Sequence, residues 1–175
     1  MAEKIRRVVT ATNDEGVSYI LLDDETPHTL EMTGIGVVAS EIWVTDGCPA
    51  DNTGSADAAD RPIALEPPPG GAVFRTGEFP PDKDWRGKTD GAEGFRAFLA
   101  EGAHVGDPDD AMMHQTNTID FVVVIKGELT AVMQDGERTL YPGDCFVQRG
   151  TVHSWHNRTD EPALVAAVLV SASPL

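Results

Sequence analysis

His114-Gln-Thr-Asn-Thr-Ile-Asp120-Phe-Val-Val-Val-Ile-Lys-Gly127 and, one turn and a short strand later, Gly150-Thr-Val-His153-Ser-Trp-His-Asn157 decide the fold of this chain. The first stretch alternates polar and apolar residues with period two. A strand places residues i, i+2 and i+4 on one face, so His114, Thr116, Thr118 and Asp120 share a side, while Phe121, Val123 and Ile125 take the other. If that strand were straight, His114 and Asp120 would stand about 20 Å apart. Only a bend would let them serve one centre. The second stretch follows the Pro142-Gly143-Asp144 turn and carries His153 and Trp155 on one face and His156 on the other.

Outward from these stretches the chain reads as strand and turn. Predicted strands cover 5–11, 17–22 (a hairpin through Asn13-Asp-Glu-Gly16), 36–45 and 71–79, the last ended by Pro80-Pro81. Residues 23–28 read as a loop. Between 46 and 69 the composition shifts to Asp, Ala, Gly and Pro, which reads as a surface excursion, with a lid or a dimer-wrapping arm as the alternative. Asp90 to Ala103 is the one predicted helix, with Asp90 as N-cap, Phe95, Phe98 and Leu99 on one apolar face and Gly102 as its stop. Beyond Met112 come strands over 128–134 and 138–141 joined by Asp135-Gly136, then 145–148, 153–156 and the apolar run 163–171. Many short strands with regularly spaced turns point to an all-β closed barrel or jelly roll.

With 175 residues, 41% hydrophobic and 24% charged, the chain reads as a single domain, 1–175, with N-terminal strands, long loop and short helix in 1–111 and the barrel core in 112–175. The net charge of -16 repels polyanions and argues against nucleic acid as a partner. No apolar run reaches membrane-spanning length and the N-terminus has no signal-type core, so a cytoplasmic protein is expected. Cys48 and Cys145 show no paired spacing and read as small buried apolar residues. Nucleophile-elbow serines, phosphate-cradling glycine loops and dinucleotide fingerprints are absent.

The two stretches resemble the paired motifs of the cupin superfamily. His114 stands at the first histidine of its H-x-H, Asp120 at the glutamate, Gly127 at the glycine, and Gly150, His153 and Asn157 match the latter half of the second motif. Thr116 replaces the second histidine, and Gln148 stands where proline is usual. The resemblance runs over about 60 residues, from Met113 to Ala172. It implies a double-stranded β-helix (jelly-roll barrel) extended by N-terminal strands and one short helix. It also implies a mononuclear divalent transition metal (Fe, Mn, Zn or Ni) held by His114, Asp120 and His153, two imidazoles and a carboxylate being a facial triad with open positions. The implied activity is that of a metal-dependent lyase or isomerase dehydrating, decarboxylating or isomerising an oxygen-rich organic acid or polyketide-like molecule. A non-haem iron dioxygenase using the same residues and a metal-free, non-catalytic ligand-binding cupin are the alternatives, since one fold hosts many chemistries.

In this scheme Asp120 acts as general base if it does not ligate, Thr116 orients bound water or substrate, and the Gln148 amide reads a substrate oxygen. Trp155 walls the pocket. By strand parity His156 is placed at a surface or interface, His104 is a reserve ligand should its loop fold over the barrel mouth, and His28 is solvated. The partners expected are a small-molecule substrate and a second copy of the chain, the homodimer forming through the N-terminal strands.

Overall fold

The computed structural model describes residues 2–175. Its strands, in chain order, are β1 (Arg6–Thr12), β2 (Ser18–Glu25), β3 (Thr29–Glu31), β4 (Val38–Thr45), β5 (Ala72–Phe79), β6 (Thr118–Lys126), β7 (Leu129–Met133), β8 (Glu137–Leu140), β9 (Cys145–Arg149), β10 (His153–His156) and β11 (Ala163–Ser171). Two short helices, α1 (Asp82–Trp85) and α2 (Ala92–Ala97), lie between β5 and β6. An antiparallel six-stranded sheet in the order β3-β4-β5-β11-β6-β9 faces a three-stranded sheet β10-β7-β8. The chain is therefore all-β with jelly-roll architecture, as its turn spacing predicts.

Inward residues of both sheets form one apolar core. Val73, Val122, Val124, Val165 and Leu169 of the larger sheet meet Leu129, Ala131 and Trp155 of the smaller. Such interdigitation of two inner faces is what holds stacked sheets together. Gly127 closes the turn from β6 to β7 with φ 75°, and a Cβ there would sit 2.9 Å from the Ala163 backbone, so only glycine lets this turn press against the start of β11. A second apolar cluster joins Met32 and Ile35 to Trp85, Phe95, Phe98 and Met112. It packs the 30–37 turn and the helical segment against one end of the barrel.

Several expectations are corrected by the fold. The polar 23–28 stretch is strand as far as Glu25, because Lys4, Arg6 and Arg7 pair with Glu25, Asp23 and Asp24 across the β1–β2 hairpin at 2.6, 2.7 and 2.8 Å. Cross-strand charge pairing outweighs the low strand propensity of aspartate here. The 90–103 helix shrinks to six residues. Asp90 accepts a hydrogen bond from the Ala92 amide at 3.1 Å, but the helix ends by Phe98, and Leu99 turns outward with φ 53° at 69% exposure. Phe95 and Phe98 are buried as expected; Leu99 is not their partner. Cys48 and Cys145 are exposed, not buried.

The 46–69 stretch carries no regular structure, yet it is pinned to the body. Asp57 receives both Arg7 and the His28 ring (2.9 Å for the latter), so His28 is a loop anchor and not a solvated side chain. Glu66 accepts from the Asn117 amide at 2.8 Å. Between these anchors the Ala64 carbonyl accepts from Arg75 of β5 at 2.6 Å, which brings Leu65 to the wall of the barrel cavity.

Candidate functional site

A cavity of about 120 Å³ runs into the barrel between the two sheets. Most of its wall is apolar, with the rings of Phe79, Phe95, Phe98 and Trp155 among its lining groups. Five groups with chemistry interrupt that wall: His114, Thr116, Asp120, His153 and Arg75.

His114 and His153 are neighbours. Their backbones form a bridge with reciprocal 2.9 Å amide-to-carbonyl bonds, and their rings lie 4.2 Å apart, centre to centre. Each ring donates its Nδ1–H to a nearby carbonyl, Met112 at 2.7 Å and Thr151 at 2.9 Å. That fixes the tautomer and leaves each Nε2 with a lone pair. Burial drives both rings toward the neutral form, His114 down to about 4 and His153, beside His114, down to about 3. His104 bridges His114 on the other side, stacked on Phe95 at 4.9 Å. The third histidine of this row thus stands beside the pair, although it does not line the cavity.

Asp120 belongs to another wall. The alternation from His114 to Asp120 reads as one strand, but β6 begins only at Thr118. His114 pairs instead with His104 and His153, whereas Asp120 lies on β6 opposite Leu169 of β11 and Gln148 of β9. Among the described residues no three His, Cys, Asp or Glu side chains gather as a metal-holding group. His114, His153 and Asp120 line the same cavity, the two imidazoles side by side and the carboxylate beside a further charged neighbour.

That neighbour is Arg75. Burial pushes the Asp120 carboxyl up to about 6, while the Thr118 hydroxyl and the Arg75 charge pull the other way. Arg75 itself is buried, paired to the equally buried Glu41 at 2.8 Å. Burial raises the Glu41 carboxyl and lowers the Arg75 guanidinium. Three atoms of this group, Asp120 Oδ1, Arg75 Nε and Glu41 Oε2, are buried without a hydrogen-bond partner. The strand pattern held a signal for Arg75 and Glu41: Arg75 shares the inward parity of Val73, and Glu41 sits amid the apolar run of β4.

The remaining expectations divide. Thr116 lines the cavity, its hydroxyl 2.7 Å from that of Thr118. Trp155 walls the cavity as its parity predicts. Gln148, expected to read a substrate oxygen, does not line the cavity; its Nε2 donates to the Thr151 carbonyl at 2.9 Å and to the Thr151 hydroxyl, bracing the Gly150 turn. His156 lies opposite His153, as parity requires, but is buried and not at a surface. Its Nδ1 donates to Asp82 at 2.8 Å and its Nε2 to Asp110 at 2.9 Å, while Ser154 donates to the same Asp110 oxygen at 2.6 Å. Burial alone would lower this imidazole, but the two carboxylates outweigh it and raise it to about 9. Burial would raise Asp110; its bonds from His156 and Ser154 instead bring it to about 2. This closed cluster ties α1 and the chain before His114 to β10.

No helix among the described residues is long and apolar enough to cross a membrane. Comparison with known proteins agrees with the barrel. Residues 99–170 match the family described as "Cupin domain". The oryzines biosynthesis cluster protein J of Aspergillus oryzae is 31% identical over 160 residues, 88% of this chain and 75% of that protein. A phomopsin biosynthesis cluster protein, C', of Diaporthe leptostromiformis is 49% identical over 51 residues, 29% of this chain and 27% of that one. The cupin-domain-containing oxidoreductase virC of Hypocrea virens is 27% identical over 178 residues, 97% of this chain and 77% of its own length. Both cupin motifs, the jelly-roll sheets and similarity along most of the chain lead to one conclusion: this protein belongs to the cupin superfamily.

Proposed function

We propose that this protein is a small-molecule enzyme of a biosynthetic pathway, in which Asp120 moves a proton on a compact substrate held inside the barrel. One observation carries the reading. A carboxyl group with an unpartnered oxygen lines a mostly apolar cavity, and burial brings it up to about 6. A base whose pKa lies near the working pH combines the right protonation state with useful driving force. Proton abstraction beside a carbonyl, followed by reprotonation or loss of a leaving group, gives isomerisation, elimination or decarboxylation. The neutral His114 and His153 present lone pairs at Nε2 and serve as hydrogen-bond acceptors along the same cavity. Cluster proteins for oryzines and phomopsins among the relatives support a tailoring role.

The test is exchange of substrate protons. In D2O, the protein is incubated with small aryl ketones bearing acidic α-protons, and deuterium incorporation is followed by NMR. Incorporation above the buffer rate is expected, with a drop of at least ~10²-fold in Asp120→Asn. Exchange at the buffer rate, or equal exchange in the variant, defeats the assignment of Asp120 as base.

A second reading, metal-dependent and including iron oxygenase chemistry, is favoured by the paired imidazoles. Their Nδ1 atoms are pinned to carbonyls, the orientation that readies Nε2 for a divalent metal, and virC, named as an oxidoreductase, is among the relatives. His114 and His153 would be the ligands, with Asp120 completing the set only if it moves toward them. A metal held there would act as a Lewis acid on a substrate oxygen. Elemental analysis of protein purified without chelator, compared with His153→Ala, decides between the readings: near-stoichiometric metal lost in the variant supports this one, and equal trace content in both removes it.

A second copy of the chain is the partner we propose. Phe74, Val168, Phe121 and Val147 face outward in one row across β5, β11, β6 and β9, and Phe74, Phe121 and Val147 are exposed there along with Ile119, Val123 and Ile125. A continuous row of exposed apolar side chains on a sheet face is the kind of surface that a second copy covers.

A further inference from the structure

The orphaned atoms at the polar end of the cavity describe the group that belongs between them. Arg75 comes from β5, outside the 99–170 stretch that matches the cupin family. Its Nη2 is used twice, by the Ala64 carbonyl at 2.6 Å and by Glu41 at 2.8 Å. Its Nε–H is buried and donates to nothing. Asp120 Oδ1 is buried and accepts from nothing. Both residues line the one cavity. The register sets Arg75 opposite Ala167, and Ala167 opposite Val122, two residues along β6 from Asp120. The two side chains thus start from strands separated only by β11, about 10 Å apart across the sheet, with the long arginine reaching inward. Buried polar groups in native proteins are almost always paired. An unmatched donor and an unmatched acceptor on two residues that line one cavity point to a group that is both.

We propose that Arg75 and Asp120 together bind the hydroxyl of a singly ringed, otherwise apolar ligand, a phenol or cyclic enol, with Arg75 Nε–H donating to its oxygen and its hydrogen donated to Asp120 Oδ1. The ring size follows from the cavity. Its volume of about 120 Å³ is close to the ~150 Å³ of an engineered apolar cavity that takes up one benzene, a size that suits one ring. The rings of Phe79, Phe95, Phe98 and Trp155 are among the lining groups, and aromatic walls favour a flat ring. A hydroxyl suits the charges better than a carboxylate does. Glu41 already neutralises Arg75, with Asp120 and, beyond it, Glu66 adding negative charge nearby. A ligand carboxylate would add one more.

This inference rests on the reading of the cavity as a substrate site, and its test is kept apart from catalysis by measuring equilibrium binding alone. The probes are phenol, toluene and benzoate, titrated into the full chain by NMR chemical-shift perturbation. Phenol is expected to bind at least ~10-fold more tightly than toluene, the usual weight of hydrogen bonds to charged groups, and benzoate no more tightly than toluene. Arg75→Met alone strands Glu41 and risks unfolding, so the pair is removed together in Arg75→Met/Glu41→Gln. That variant, checked for native shift dispersion, is expected to bind phenol and toluene alike. Equal binding of phenol and toluene by the unaltered protein overturns the proposal without any variant, as does an unchanged phenol preference in the double variant. Benzoate binding above phenol overturns the hydroxyl assignment. Phenol preference in a protein that fails the deuterium-exchange test would leave this inference standing and remove only Asp120 as base.

Discussion

Replacing His156 by Gln takes the positive charge out of the cluster that ties α1 and the 110–113 segment to β10. In the native fold both ring nitrogens donate, one to Asp82 and one to Asp110, so the ring is held as the imidazolium. Its pKa rises from 6.5 to about 9, and at about 1.4 kcal/mol per unit the fold prefers the charged ring by about 3 kcal/mol. A base raised by folding contributes in full below its unfolded value and loses that contribution as pH climbs through the folded one. The stabilisation is therefore whole at pH 6.5 and below, declines between 6.5 and 9, and is gone beyond. The lowered carboxyl of Asp110 is the other side of the same interaction and adds nothing further. Glutamine keeps a donor but leaves two largely buried carboxylates facing a neutral group, for which losses of about 3–5 kcal/mol are typical. Urea unfolding at pH 6.5, 8 and 9.5 reads the outcome. The gap between native and variant should be widest at pH 6.5 and narrow by about 3 kcal/mol at pH 9.5. A gap that stays constant over that range would mean that the ring is neutral in the fold, and the account of the cluster would be wrong.

Asp120→Asn should stabilise the protein while abolishing its proton transfer. The carboxyl pKa is raised from 3.8 to about 6, so holding it ionised costs about 3 kcal/mol above pH 6 and nothing below pH 3.8. Urea midpoints should favour the variant at pH 8 and coincide at pH 4, and equal midpoints at pH 8 would refute the cost. Phe121→Asp should convert a dimer to a monomer in light scattering without lowering thermal stability by more than ~1 kcal/mol, because the side chain is half exposed on the outer sheet face. An unaltered mass for this variant, or a monomeric unaltered protein, would move the contact elsewhere or remove it.

The barrel was legible because period-two alternation survives wherever one face of a strand is buried. Thr118, Asp120, Val122 and Val124 turn inward and Phe121, Val123 and Ile125 outward, as read from residue types alone. The site was legible in part. His114 and His153 meet through a bridge that no local pattern announces, yet the motif spacing pairs them correctly. Asp120 is grouped with them by the motif resemblance, whereas a straight strand would hold it about 20 Å from His114; nothing local reveals that the chain changes sheets near Thr116. Gln148 has the parity of an inward residue, but parity is blind to the short reach back to Thr151. His156 was placed at the surface by the same rule, which holds only where nothing packs outside the sheet, and here α1 and the 110–113 segment do. Arg75 was passed over because a charged residue in a strand reads as outward unless its partner Glu41, 34 positions earlier in the chain, is also known.

The cavity wall is assembled from two lengths of polypeptide with different duties. Arg75, Leu65, Phe79 and Phe95 come from before residue 99, whereas His114, Asp120 and His153 come from the stretch shared with the wider superfamily. Changes in the earlier length can reshape the cavity without disturbing His114, Asp120 and His153. Under the proposed function, a chimaera joining the first 98 residues of a relative to this barrel would inherit the relative's choice of molecule and keep the proton-handling residues proposed here, an arrangement by which one scaffold can be reassigned from product to product.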